Sequence, residues 1–547
     1  MGLSISAEQK SIQQVFSGKE IYIIPAYQRT YSWDIEQCTE LWDDILFSLK
    51  RDKQDGYFLG NIVIAQSKSK KDILEVIDGQ QRLITLTLFL RALSFFDKDN
   101  NDIDDALWVK DRRDQGKKKQ RVNSYVFENN DKGELSQCLS IEVKDIQNIS
   151  SDKKKRNKFE ENLYFFYIKL KKYIDEENDK AAREFSNYLL DNVYILPILS
   201  VDQDENMARE KALTIFETIN NRGLELSDAD IFKSQLYNSS LNNLESEIFI
   251  ERWDNIIEAC DKLELTLSYI FRIYSHVIRG QNGEDSTEIG LRQFFNLDKN
   301  SLKKKNYRDV LSDIEKIIDI VQFTFQSSKK LTNANQLCKW LQIIFEYNSQ
   351  FPKFAIYVYL FNHYEIIKKP IEDTDPFIDF LQNLVRCCYF IGLNQTIKFE
   401  IFKIIVKVSK KEKYEYYPSN ISGTHFENLG RFKNAFTLLS AYLDKSVIPI
   451  YPYYFDKIIN SEHIESLNTS WKDNQPLSLL DSLGNLVLSD LRKKRISLSD
   501  KGAYYSKSQL KELQEISRKV DNWTYSDYEQ RNEIIVNRLT EFFKGNR

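Results

Sequence analysis

This sequence is poor in histidine, in paired cysteines and in long apolar runs. Four histidines occur in 547 residues, so histidine chemistry has few places to sit. The six cysteines (Cys38, Cys138, Cys260, Cys338, Cys387 and Cys388) contain no C-x-x-C pair, which argues against a zinc or disulfide framework and fits a reducing compartment. No charge-free apolar run approaches a membrane span, and the start MGLSISAEQK has no basic-then-apolar signal. A cytoplasmic protein with no membrane partner is the expectation. No internal repeat is visible. The net charge of −4 gives no global pull towards nucleic acid. Screening beyond about 10 Å still lets a local basic patch act alone. The candidate patches are Lys117 to Arg121, Lys153 to Lys158, Lys303 to Lys305 and Arg492 to Arg495. The first three read as solvated loops.

What is present describes a globular chain, 42% hydrophobic and 29% charged, with length enough for two to four domains. Hydrophobic periodicity predicts an α+β, predominantly helical fold. Strands are expected at Glu20 to Ile24, Tyr57 to Gln66, Ile73 to Ile77 and Asn192 to Val201, the middle two as a hairpin with the polar tip SKSKKD. Ile35 to Lys50 carries one apolar face, begun by Asp34 with Gln37 in capping-box register. Residues 97–190 read as a charged helical insertion. The pattern divides the chain at 1–240, 241–400 (helices only) and 401–547 (mixed again).

The densest signal is VIDGQQRL at residues 76–83. A β-branched run turns through glycine into a long apolar helix, so unpaired N–H groups and the positive end of the helix dipole face one spot. That arrangement suits phosphate. Arg82 adds a planar fork for phosphate oxygens, and Asp78 a group for a cation or ribose hydroxyl. A purely structural reading competes: Asp78 and Gln81 have capping-box spacing, and Asp-Gly is an ordinary turn. That reading leaves Gln80 and Arg82 without a reason.

Two more clusters stand out. IPAYQRTYSWD at residues 24–34 sets Gln28 and Arg29 among Tyr27, Tyr31 and Trp33, which could grip a nucleotide or line a core around one buried arginine. IFETINNRGLELSDADIFK at residues 215–233 puts Asn220, Asn221, Arg222 and Gly223 in a turn between helices, with Ser227 and Asp230 as caps. Taken in order, IPAYQRTYSW, DGQQRLITL and IFETINNRGLELSDADIFK resemble the N-terminal domain of GmrSD-type restriction systems, shared with SspE-type defence proteins. The resemblance covers roughly the first 240 residues. It implies a ParB/sulfiredoxin-like fold and NTP binding and hydrolysis at the DGQQR loop, coupled to recognition of modified DNA. By position it assigns Asp78, Gly79, Gln80, Gln81 and Arg82 to the nucleotide site, with Gln28 and Arg29 as neighbours and Asn220, Arg222 and Gly223 further out.

Near the C-terminus His463 follows Glu462 in SEHIESLN, and LGNLVL comes twenty residues later. His276 and His363 lie in aromatic helical stretches and read as packing residues, and His425 sits in a loop without an obvious partner. A phosphodiester-cleaving ββα site needs a base, worth about 10²–10⁴-fold, a residue orienting it and a divalent metal. EHI, Trp471, LGNLVL and LSDKGAYYSK resemble the HNH domain that accompanies the N-terminal domain in GmrSD-type proteins. The resemblance implies His463 as general base, Asn485 as its orienting residue and Glu462 beside the metal. The chain departs from the pattern at Ser466, where the family has proline, and near Arg495, where it has Asn or His. Asp490 or Asp500 could stand in as a metal ligand.

The expectation is therefore an anti-phage restriction factor using NTP (GTP or ATP) and Mg²⁺ or another divalent cation. It would act on DNA, modified phage or foreign, as a homo-oligomer or with a partner defence protein. The alternative is an NTP-binding sensor with an inactive HNH domain working through a partner. A helical DNA-binding scaffold without catalysis is the third reading.

Overall fold

The computed structural model describes residues 5–51, 56–111, 117–126, 131–146, 157–178, 180–219, 228–237, 243–329, 336–369, 371–372, 375–427, 429–466, 471, 476–492 and 496–545. The chain divides into two compact units, residues 1–255 with 302–307, and residues 256–301 with 308–547. It is α+β and mostly helical. Among the described residues no helix is long and apolar enough to cross a membrane.

A seven-stranded sheet organises the first unit. Its strands are β1 (Ile5–Ala7), β2 (Lys10–Ser11), β3 (Ile21–Ile24), β4 (Tyr57–Ser67), β5 (Ile73–Asp78), β8 (Val122–Ser124) and β9 (Val193–Asp202), while β6 (Trp108–Asp111) and β7 (Lys117–Gln120) form a separate ribbon. The order is β1-β9-β4-β5-β3-β8, with β2 also on β9. The β4–β5 hairpin is antiparallel, whereas β4 runs parallel to β9 and β3 runs parallel to both β5 and β8. The segment expected to be wholly helical thus supplies the edge strand β8. Val122 and Ser124 bury their side chains there, an alternation too short to outweigh the surrounding charge in the sequence pattern.

One sheet face is covered by the helices Ile35–Arg51, Gln80–Leu93, Lys158–Glu176 and Ala181–Asp191. Gln80–Leu93 is buried almost all round, as its unbroken apolar run requires. Phe89 stacks on Phe166 at 4.4 Å and Trp42 on Phe185 at 5.4 Å at the centre of this layer. The other face is covered by Glu205–Ile219, whose Ala208, Ala212, Ile215 and Phe216 pack on Val63, Ala65, Ile77 and Ile198. β5 is therefore sandwiched, and its C-terminal end delivers the bend.

The second unit is a helical assembly. It includes Gln336–Glu346, Phe351–Asn362, Pro376–Ile391, Lys398–Ser409 and Lys433–Leu443. It also holds the antiparallel pair β10 (Tyr454–Lys457) and β11 (Leu486–Ser489), then the helix Leu498–Tyr505.

Candidate functional site

β5 ends at Asp78, and Gly79 takes a left-handed conformation (φ 90°) as the N-cap of Gln80–Leu93. Glycine is required twice here. An L side chain disfavours that φ, and a Cβ would stand 2.4 Å from Ile62 Cγ2. The capping box suggested by the Asp78–Gln81 spacing does not form, because no side chain caps this helix. Gln81 instead reaches back about fifty residues. Its Oε1 accepts from the Ser32 and Trp33 N–H groups at 2.8 and 3.2 Å, and its Nε2 donates to Thr30 O at 3.0 Å. Gln80 Nε2 donates to Arg29 O at 3.1 Å, and Gln28 Nε2 donates to Ile77 O at 3.0 Å. Three glutamines thus stitch the 24–34 segment to the bend. Tyr27 and Tyr31 of that segment are buried, with Tyr31 Oη 2.8 Å from Thr85 Oγ1, while Arg29 is exposed. The core-lining reading fits the tyrosines, but the arginine is not the buried one.

With the glutamine amide nitrogens occupied, Asp78, Arg82 and Arg29 remain as the charged groups. Arg82 is half-buried and donates to Asn61 O at 2.6 Å. Its guanidinium lies over Gly60, at the bulge where β4 slips register; a Cβ there would sit 3.4 Å from Arg82 Cζ. No ion pair within 4 Å binds Arg82 to another described residue, so the remaining donors of its fork are not spent on a carboxylate. Burial raises the Asp78 carboxyl above its ordinary value, against the pull of Arg82, the Gly79 N–H and Arg29. Gln80 Oε1 is buried without a hydrogen-bond partner. An uncapped helix start, a fork-shaped cation and a carboxyl held half out of water converge at one bend.

Sequence reasoning missed the clamp behind it. Glu75 on β5 receives a bidentate contact from Arg209, Nε to Oε1 at 2.5 Å and Nη2 to Oε2 at 2.7 Å, and the Tyr27 hydroxyl donates to Oε1 at 2.8 Å. The signal was the Glu75 carboxylate inside the buried strand ILEVID, which demands a cation. A cavity of about 490 Å³ opens on the clamp, lined by Ala26, Glu75, Tyr125, Ala208, Arg209 and Tyr237 among others. Asn220, Arg222 and Gly223 lie outside the described residues. The basic runs are partly tied down: Lys118 pairs with Asp104 at 2.6 Å and Lys303 with Glu210 at 2.6 Å. Arg121 is buried, donating to the Gly18, Glu20 and Asp105 carbonyls. Residues 153–156 and 493–495, Arg495 among them, lie outside the described residues.

In the second unit His463 sits in a 3-10 turn, Ser461–Ser466, and is 4% exposed. Its Nδ1 accepts from Asn460 N at 3.2 Å, which places the proton on Nε2, 3.3 Å from Ile496 O. Burial and the nearby Lys501 ammonium lower its pKa, so the ring is neutral at neutral pH. Asn485, also buried, bridges the Ile459 N–H and carbonyl at 2.8 and 2.9 Å and donates to Leu480 O at 3.0 Å. Both side chains therefore hold the turn after β10. Glu462 is exposed. Asp500 accepts from the Ser497 hydroxyl at its helix start, and Asp490 from Gln509 N. Lys501 is buried, donating to the Lys457 and Ile458 carbonyls and lying 3.8 Å from Asp456. Among the described residues no three His, Cys, Asp or Glu side chains gather as metal ligands. The other histidines pack: His276 lies against Phe354 at 4.4 Å and His363 stacks on Tyr359 at 4.6 Å. His425 stacks on Phe390 at 5.4 Å.

Residues 12–237 match the family model of the GmrSD restriction endonuclease, N-terminal domain, a span that takes in β3, β4, β5, β8 and β9 of the sheet, the bend and the clamp. A comparison of the whole chain with curated proteins finds no match.

Proposed function

We propose that this chain, which carries the GmrSD N-terminal domain over residues 12–237, is a restriction factor in defence against foreign DNA and is controlled by a nucleotide bound at the Asp78–Arg82 bend. One observation carries the nucleotide assignment. The bend keeps a half-buried arginine outside any ion pair with described residues, beside an uncapped helix start, while the neighbouring glutamines are spent on holding the loop in place. Triphosphate oxygens are the ligand such a set accepts, from the guanidinium and from the first N–H groups of Gln80–Leu93. The stitching glutamines pass a change at the bend directly to residues 28–33. In this reading the sheet unit is the ParB/sulfiredoxin-like sensor.

The nuclease centre in this reading is the HNH-like order β10, β11 and Leu498–Tyr505, with His463 and Asn485 on the turn between the strands. Glu462 would hold Mg²⁺ there, where the cation would stabilise charge on the phosphate, whereas Asp490 and Asp500 are engaged with Gln509 N and the Ser497 hydroxyl. A second reading keeps the nucleotide site and makes the C-terminal unit inert, with a partner protein cutting. The ring nitrogens of His463 and the amide of Asn485, engaged with backbone groups, favour it.

The test incubates the full chain with GTP or ATP, Mg²⁺ and phage DNA. Cutting that is lost in both Arg82→Ala and His463→Ala supports the first reading. Cutting by the wild type that His463→Ala leaves intact removes the β10–β11 turn as the nuclease. Nucleotide turnover without cutting by the purified chain supports the second.

A further inference from the structure

In the second unit the helix Leu267–Gln281 carries Arg272, His276 and Arg279 at helical spacing, so they share one face. Residues 282–290 cross that face, a strap without helix or strand that leads to the helix Leu291–Asn296. Glu288 of the strap takes a bidentate contact from Arg272, Nε to Oε1 at 2.6 Å and Nη2 to Oε2 at 2.8 Å. His276 Nε2 lies 3.5 Å from Oε1, and Lys398 Nζ lies 3.8 Å from Oε2. Arg279 donates to the Ser286 and Thr287 carbonyls, and Lys299 pairs with Glu284 at 2.8 Å. The charge is divided one-sidedly. Among the described residues, every carboxylate paired with these cations belongs to the strap, whose sequence NGEDSTEIG has three acids and no base. Burial works against the Glu288 charge, yet His276 and Arg272 hold its carboxyl well below the usual carboxylate range.

The cations have a support of their own beneath the strap. Arg272 Cζ lies 5.1 Å from the Phe354 ring centre, Arg279 Cζ 5.0 Å from that of Phe402, and Lys398 Nζ 5.6 Å from that of Phe351. His276 is wholly buried against Phe354 and Phe402, and its Nδ1 has no hydrogen-bond partner. Ring faces hold cations in place and keep water back, which strengthens their pull on an anion. The strap is fastened differently. Most of its residues are exposed, and its one large apolar residue, Ile289, is half-buried. Charge rather than apolar burial holds it down, which is the mark of a segment that opens locally at low cost. Gly283 (φ 72°) and Gly290 bracket it, and a Cβ on either would meet nothing within 4 Å.

We propose that Glu288 holds the place of a phosphate group: Arg272, His276, Arg279 and Lys398 form an anion site that the strap keeps closed, and a phosphate-bearing ligand displaces the carboxylate as the strap swings out on Gly283 and Gly290. A guanidinium fork pairs with phosphate in the geometry it uses for a carboxylate, and phosphate brings more charge and more acceptor oxygens than Glu288 offers. Closure lowers the apparent affinity by the fraction of molecules that stand open, so the strap sets the ligand concentration at which the site fills. The ligand is either a free phosphoanion or the backbone of DNA. The DNA source rests on the restriction reading; the site itself does not.

The experiment follows hydrogen exchange in peptides spanning residues 282–290 of the full chain, alone, with pyrophosphate and with a short DNA duplex, at matched ionic strength. The ligand is expected to speed exchange in the strap. Acceleration by pyrophosphate alone identifies a free phosphoanion, and acceleration by the duplex identifies the DNA backbone. Glu288→Gln keeps the side-chain shape and removes the competing charge. It should bind the effective probe about tenfold more tightly, a gain that a misfolded protein cannot give. Adding Arg272→Gln should cancel the gain. The exposed Glu427→Gln makes the same change in net charge and should bind as the wild type. Strap exchange that neither probe changes overturns the proposal, as does equal binding by wild type and Glu288→Gln or an equal gain in Glu427→Gln. The strap should respond alike in Arg82→Ala, which separates this site from the bend; loss of the response there would assign it to the bend and overturn the proposal.

Discussion

Removing the arginine of the Glu75–Arg209 clamp should loosen the whole N-terminal unit. The two side chains are only 15% and 9% exposed and meet through two short charge-assisted hydrogen bonds. Arg209→Met keeps the aliphatic volume but leaves the Glu75 carboxylate buried with the Tyr27 hydroxyl as its remaining described partner. Stranding one half of a buried pair costs about 3–5 kcal/mol. Against a total stability of about 5–15 kcal/mol that is a large fraction. With a urea dependence of about 3 kcal/mol per molar, the midpoint for this unit should fall by about 1–1.7 M. The loss should be local as well. Hydrogen exchange should accelerate in peptides spanning β5 and Glu205–Ile219 and stay unchanged in peptides of Pro376–Ile391. The double variant Glu75→Leu/Arg209→Met removes the stranded charge and should recover most of the loss. A midpoint within about 0.2 M of wild type for Arg209→Met would refute the clamp as a source of stability, and no recovery in the double variant would refute the stranded-charge argument.

Gly79→Ala forces an L residue into φ 90° and a methyl to 2.4 Å from Ile62, and should cost about 2–4 kcal/mol, read as a lower thermal midpoint. Asp78 has its folded pKa raised above the ordinary 3.8, so its protonated form favours the fold below that value and the benefit is lost as pH rises through the folded pKa. Asp78→Asn should therefore match the wild type in acid and become the more stable protein towards pH 7, checked by melting across that range. Asn485→Ala leaves the Ile459 N–H and carbonyl without their side-chain partner and should cost about 2–4 kcal/mol, with faster exchange at residues 458–463.

Much of the sheet was legible because its strands announce themselves locally. The run YFLGNIVIAQ, the polar tip and ILEVI form β4, a turn and β5, and NVYILPILSV forms β9. The helix start at Asp34 was equally local, with Gln37 Oε1 accepting from Asp34 N at 3.0 Å. Pairing was not legible, since β4 lies parallel to β9 across more than a hundred residues of intervening chain. The edge strand β8 was hidden by the charged segment around it. At the bend, spacing suggested a capping box because it cannot register the tertiary pull of Ser32 and Trp33 on Gln81. The same limit applies to Glu75 and Arg209, 134 residues apart: a carboxylate inside a buried strand calls for a cation, but nothing local to either residue names its partner. The histidine and asparagine near the C-terminus were found by motif, but their engagement with Ile459, Asn460 and Ile496 could be seen only in three dimensions.

The central claim is that Arg82 and the start of Gln80–Leu93 cradle phosphate. It is tested most directly by equilibrium binding of GTP and ATP to the wild type and to Arg82→Ala, with hydrogen exchange locating the bound ligand. The account predicts saturable binding that protects residues 78–83, and at least a tenfold loss of affinity in a folded Arg82→Ala protein. Identical affinity in the two proteins, or protection confined to other segments, would contradict it.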